Sequence, residues 1–276
     1  MFWARAISFP LLLGIFFAMI FCPWGGWILS VLLPFLLAMA GFEFSRILQK
    51  MGLNCFPKIV GALLFLLGVL AAPELKYFND EDKLSYIIIA MMVMILFTFG
   101  GLLFAKDRKK YFLEAFTSFG AFCLIALLYM PLVEVYSYDP KYFLYLVLVT
   151  KMTDTGGYIF GKLSSYLPGG NHKIAPRFSP KKSYEGLAGG MLMSIAAGLI
   201  LLKYDCSPFG IAFTIISCIL LSLGSFAGDL TESALKREAD IKDSANWIPG
   251  MGGIFDVLDS FIYNGIIFLV FMAFFR

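Results

Sequence analysis

The chain has 276 residues, of which 60% are hydrophobic and 15% charged, with a mean hydropathy of +0.82 and a formal net charge of +3. A soluble domain carries roughly 25% charged residues, so too few charges are present here to coat a water-facing surface. Composition therefore excludes a disordered chain and argues against a water-soluble globule, leaving an integral membrane protein.

The apolar runs predict an all-α, polytopic membrane helix bundle of about nine transmembrane helices. Arg5 precedes an apolar run over 6–21 with no small-residue cleavage pattern after it, so this segment reads as a retained first span and not a signal peptide. No charged residue occurs from 6 to 42, which is too long for one span of about 20 residues. The turn Pro23-Trp24-Gly25-Gly26 divides it in two. Further spans are expected at about 58–72, 84–105, 112–133, 142–161, 184–202, 208–228 and 254–275. The third is short, and the sixth carries Lys151 and Asp154. The chain divides into N-terminal helices of low motif content, 1–140, and a C-terminal region, 141–276, in which the ordered charges lie.

Alternate loops hold 16 Lys and Arg on the side of the N-terminus and 5 on the other, with Lys151 left inside a span. The positive-inside rule then puts the N-terminus in the cytoplasm and the C-terminus outside. The two longest loops, 162–183 and 229–253, face the cytoplasm on this reading. Five cysteines (Cys22, Cys55, Cys123, Cys206, Cys218) lack metal-ligand spacing and read as small packing residues. With His172 the single histidine, chemistry must rest on carboxylates, lysines, arginines and backbone.

Three constellations could carry that chemistry. In Ser179-Pro180-Lys181-Lys182-Ser183, Ser179 reads as a helix N-cap with Pro180 at the first helical position. Two lysines in a first turn oppose the helix dipole, which suits a bound anion; ordinary positive-inside anchoring explains them equally well. The second constellation runs from Gly228 to Ser260. On a continuing helix Asp229, Lys236 and Asp243 would lie near one face, with Glu232 and Ser233 alongside. Gly250, Gly252 and Gly253 admit a ligand close to backbone, and the last span opens with Asp256 and, one turn on, Asp259. Carboxylates in an apolar span are costly without a cation, and hard oxygen donors without His or thiolate suit Mg²⁺ bridging to phosphates. Internal salt bridges of Asp229 or Asp256 with Lys236 or Arg237 are the plain alternative. In the third, Lys151 and Asp154 either neutralise one another or form a polar pocket with Thr153, Thr155, Gly156 and Gly157.

The stretch SALKREADIKDSANWIPGMGGIFDVLDS, from Ser233 to Ser260, resembles the signature of the phosphatidate cytidylyltransferases, or CDP-diacylglycerol synthases, of form S-x-x-K-R-x4-K-D-x5-P-G-H-G-G-x2-D-R-x-D. Ser233, Lys236, Arg237, Lys242, Asp243, Pro249, Gly250, Gly252, Gly253, Asp256 and Asp259 all match at the family spacing. DTGGYIFGK from Asp154, SPKKSYEGLAGG from Ser179 and GDL at Gly228 are similar to the same family, so the resemblance covers residues 150 to 260. Two positions depart: Met251 stands where the family has His, and Val257 where it has Arg.

The resemblance implies transfer of CMP from CTP to phosphatidic acid, giving CDP-diacylglycerol and pyrophosphate in phospholipid biosynthesis, on the cytoplasmic side of a bacterial inner (plasma) membrane. It implies Mg²⁺, with a second cation open, held by Asp229 and Asp256. Lys236, Arg237, Lys242, Asp243 and Asp259 would be catalytic, and Ser179, Lys181, Lys182, Ser233, Gly250, Gly252, Gly253 and Asp154 would bind substrate. CTP, phosphatidic acid and membrane lipid are the expected partners, with a homodimer open and no nucleic acid. The rival readings are a CTP-dependent lipid or polyprenol kinase of the same superfamily, which would release CDP, and a secondary transporter.

Overall fold

The computed structural model describes residues 2–72, 83–167, 170–176, 179–248 and 252–275. Its elements are α1 (Phe2–Phe21), α2 (Gly25–Lys50), α3 (Pro57–Leu70), α4 (Lys83–Gly100), α5 (Arg108–Tyr138), α6 (Pro140–Ser164), β1 (Lys173–Ala175), β2 (Ser179–Ser183), α7 (Tyr184–Lys203), α8 (Ile211–Glu238), α9 (Ile254–Leu258) and α10 (Asn264–Phe275). Among the described residues five helical segments are long and apolar enough to cross a membrane: Gly25–Lys50, Arg108–Tyr138, Tyr184–Lys203, Ile211–Glu238 and Ile254–Phe275. Trp24, Phe35, Leu127 and Leu192 lie at least half exposed, an arrangement that costs little when lipid is the outer solvent. The protein is an all-α integral membrane protein with one small hairpin.

The chain forms two compact units, the first from residues 1–127 and 238–257, the second from 128–237 and 258–276. In the first unit α2 and α3 pack closely through small residues. The Cβ that Gly68 lacks would lie 2.6 Å from the Pro34 Cα, and Leu64 fills the space over Gly41. Cys55, between these helices, donates its thiol to the Ser45 carbonyl at 3.2 Å. Burial pushes that thiol above the usual range, as suits a packing cysteine.

In the second unit the tightest pair is α6 against α7. A Cβ at Gly190 would stand 2.7 Å from the Thr153 carbonyl, so only glycine allows this approach, and dispersion between close backbones holds the pair. Serines and threonines then bond across the helices: Thr153 with Ser222 at 3.0 Å, Ser222 to Ser194 at 2.8 Å, and Tyr145 with Ser217 at 2.6 Å. Asn264, fully buried, donates to Thr150 Oγ1 at 2.8 Å.

Two sequence expectations are corrected. First, Ser179 and Pro180 do not start a helix. The residues from Ser179 to Ser183 form β2, antiparallel to β1 with Lys173 opposite Ser183. The N-cap of α7 is Ser183, whose hydroxyl accepts from the Gly186 amide at 3.1 Å. Pairing with β1 satisfies the backbone of this stretch before the apolar run begins, so the opposed-dipole argument for Lys181 and Lys182 does not apply. Second, α8 ends at Glu238, with Asp240 at a φ of 52°; Asp243 therefore does not share the helical face of Asp229 and Lys236. Asp tolerates this left-handed turn better than most residues. The span expected at 254–275 is present as the helical run Ile254–Phe275, within which α9 passes through a 3-10 turn, Asp259–Phe261, into α10.

Candidate active site

In the second unit, β2, α6 and α8 bring ionisable groups to one place. Lys182 from β2 meets Asp229 from α8, Nζ to Oδ2 2.7 Å. The same ammonium donates to the Phe226 carbonyl at 3.2 Å and lies 4.4 Å from the centre of the Phe226 ring. Three separate contacts thus fix a flexible side chain beside the carboxylate. Gly228 precedes Asp229, and any side chain there would strike the Asp259 carbonyl. That close approach sets the carboxyls of Asp229 and Asp259 within hydrogen-bonding contact of each other.

Around this pair stand further charges. Lys151 on α6 donates to Ser260 Oγ at 2.7 Å and to Asp154 Oδ2 at 3.3 Å. Ser225 on α8 donates to Asp154 Oδ1 at 2.7 Å. One turn beyond Asp229, Glu232 is 2% exposed and pairs with Lys236 at 2.9 Å; breaking such a pair leaves an uncompensated buried charge. A cavity of ≈ 270 Å³ opens beside Asp154, Asp229, Ser179, Lys181 and Lys182. Lys181 is exposed there while Lys182 is largely covered. Of the three constellations, then, the lysine segment, the Lys151–Asp154 segment and the Asp229–Asp259 pair meet in this unit.

The remaining signature residues belong to the first unit or to the end of α8. Ser233 lies on α8, and Arg237 is exposed in its last turn. Lys242 and Asp243 are exposed on the following loop, where Asp243 lines a cavity of ≈ 200 Å³ with Arg46 and Lys50. Gly252, at a φ of +96°, is bridged to Ile248 by mutual backbone bonds, 3.0 and 3.2 Å. Asp256 accepts the Gly253 amide at 2.8 Å and the Ser244 amide at 3.0 and 3.1 Å. Gly250 and Met251 lie outside the described residues, and Val257 sits on α9.

Sequence reasoning missed Glu43. It ends the charge-free stretch, and its carboxylate is 1% exposed within α2. An acid at the end of so long a charge-free run is expensive enough to be a signal by itself. Among the described residues no group of three or more His, Cys, Asp or Glu side chains has the geometry to hold a metal ion. The Asp229–Asp259 pair nevertheless supplies two hard oxygen donors in contact, and two carboxylates at that range require a cation or a shared proton.

Residues 3–275 match the model of the cytidylyltransferase family. A phosphatidate cytidylyltransferase of Staphylococcus saprophyticus is 32% identical over 243 residues, covering 86% of this chain and 87% of that protein. The protein of the same name in Staphylococcus haemolyticus is 32% identical over 238 residues, 84% of this chain and 85% of the other. That of Staphylococcus aureus is 31% identical over 209 residues, 74% and 73% respectively.

Proposed function

The chain belongs to the cytidylyltransferase family, and from that premise we propose that it transfers the cytidylyl group of CTP to phosphatidate, giving CDP-diacylglycerol and pyrophosphate. A phosphate oxygen of the lipid forms a bond to the α-phosphorus of CTP, and the bond from that phosphorus to the β-phosphate oxygen breaks. The nucleophile is already an anion, so no protein base is needed. What the protein must supply is positioning and positive charge, because two anions have to be brought together.

The single observation that carries this reading is the cavity in which Lys181 and Lys182 stand beside Asp229 and Asp154. Lys182 is held by Asp229 and Phe226, and a pre-placed ammonium costs little reorganisation when a phosphate arrives. Lys181, exposed at the same cavity, makes the first contact with phosphate. Ser179 and Asp154 border the bound substrate. At the end of α8, Ser233, Lys236 and Arg237 form a further polar and cationic turn, and Lys242 and Asp243 follow it on the loop, with Gly250, Gly252 and Gly253 next in sequence. We assign these the phosphate-contacting and nucleotide-admitting roles that the family signature implies.

For Mg²⁺ the donor set fits at Asp229 and Asp259, which are in contact. When bound there the ion supplies neutralisation of the nucleotide phosphates. Asp256, which the sequence pairs with Asp229, already receives the Ser244 and Gly253 amides, and its role in this proposal is to order the loop. We further propose the plasma membrane of a bacterium as the location, about nine spans, a cytoplasmic N-terminus and a cytoplasmic reaction site. The 16 to 5 asymmetry of basic residues supports that orientation.

Purified protein in detergent, incubated with α-labelled CTP, phosphatidate and Mg²⁺, tests the reaction. Pyrophosphate and a cytidine-bearing lipid, formed in equal amounts, are the expected products. Release of CDP with a phosphorylated lipid would replace this reading with a CTP-dependent kinase.

A further inference from the structure

We infer that Glu43, in the motif-poor N-terminal half, is a positioning residue that pins the signature segment from Ser244 to Asp256. Its carboxylate receives three neutral donors: the Ile254 amide on Oε1 at 2.9 Å, the Phe255 amide on Oε2 at 2.9 Å, and the Ser244 hydroxyl on Oε2 at 2.7 Å. The two ends of the segment are thereby tied to one point on α2. Asp256 ties the same ends a second time, through the amides of Ser244 and Gly253. Gly253 has to be glycine for this to work, since a Cβ there would collide with both Glu43 Oε2 and Ser244 Oγ. The apolar neighbour completes the clamp: the Phe44 ring lies 5.6 Å from that of Phe255, and Phe255 is 1% exposed.

Anionic acceptors make stronger bonds to amides than neutral ones do. An ionised Glu buried in a span is costly, and three donors converging on it recover that cost only in this one loop conformation. Glutamine has the same shape, but one of its two terminal atoms becomes an NH₂ donor facing donors. Gly252, Gly253 and Asp256 would then be free to drift, and a misplacement of about 1 Å costs on the order of 10²-fold in rate.

The test is Glu43→Gln in lipid nanodiscs, read by kinetics and by hydrogen exchange. We expect kcat to fall about 10 to 100-fold with KM for CTP within about threefold of the starting value, and amide exchange to quicken in 244–256 but not in 184–238. Ser244→Ala removes one of the three bonds and leaves the amides held. It should lower kcat by about threefold to tenfold, and its effect should shrink in the Glu43→Gln background because both act through one contact. Glu43→Asp, which keeps the charge but shortens the reach, should recover part of the loss. Unchanged exchange over 244–256 would overturn the inference. So would faster exchange throughout the chain with kcat falling only as the folded fraction falls, which is the mark of a general structural role. The exchange arm is independent of turnover, so it decides about Glu43 even if the unaltered protein fails to make CDP-diacylglycerol.

Discussion

In the second unit three acidic side chains are met by lysines: Asp229 by Lys182, Asp154 by Lys151, and Glu232 by Lys236. In the first unit Glu43 and Asp256 accept backbone amides, with the Ser244 hydroxyl added at Glu43. The two ways of satisfying a carboxylate do different work. A lysine paired with an acid can turn to a phosphate when one arrives, and the acid it leaves can take a metal ion. An acid held by amides cannot be released without unmaking the loop. The first arrangement is suited to binding and the second to holding geometry.

The largest expected effect comes from Asp229→Asn, which removes the partner of Lys182 and half of the carboxyl pair. Turnover should fall on the order of 10³-fold, while membrane insertion and detergent extraction stay as before. Normal turnover in this variant would remove Asp229 from the site. Asp256→Asn should cost about 10²-fold by loosening the loop. A Mg²⁺ titration sharpens the comparison. Asp259→Asn should raise the Mg²⁺ needed for half-maximal rate, whereas Asp256→Asn should lower the maximal rate with little change in that requirement. The reverse pattern would favour the pairing of Asp229 with Asp256 that the family resemblance implies.

Where local pattern runs out within this motif is a matter of periodicity. Its spacing is legible to the residue, and so are the apolar helices, because a 20-residue apolar run has few alternatives in lipid. Helical spacing carried on to Asp243 fails because α8 stops at Glu238, and the helical run of the last span passes through a 3-10 turn at Asp259–Phe261. Neither the turn geometry at Asp240 nor the 3-10 turn is announced by composition. Lys181 and Lys182 reach their cavity from a strand whose partners lie four to ten positions earlier, a pairing that helical periodicity does not register. Glu43 lies some 200 residues from its partners, so no motif scan links them.

A middle-sized effect should follow Lys182→Met, about 10 to 50-fold in kcat/KM, since the ammonium is worth a charged hydrogen bond to the incoming phosphate. Lys182→Arg should restore only part of it. The guanidinium is planar and wide, whereas the Lys182 site is built for a compact charge between the Asp229 carboxylate, the Phe226 carbonyl and the Phe226 ring.

The smallest effect is expected where the chain departs from the family signature. Val257 follows Asp256 on α9 and is partly exposed, so an arginine there can carry its charge outward along an apolar stem. Asp256 is already supplied with the Ser244 and Gly253 amides, and a new guanidinium beside it therefore meets a carboxylate whose position is set. Val257→Arg should leave the rate within about threefold or raise it, consistent with a surface charge worth 0 to about 1 kcal/mol. Steady-state rates at two ionic strengths check this, because any gain from an exposed arginine should shrink at high salt. A complete loss of activity would mean that the added cation pulls Asp256 away from its amides, and that the first unit, like the second, holds its acids in a form that a neighbouring charge can redirect.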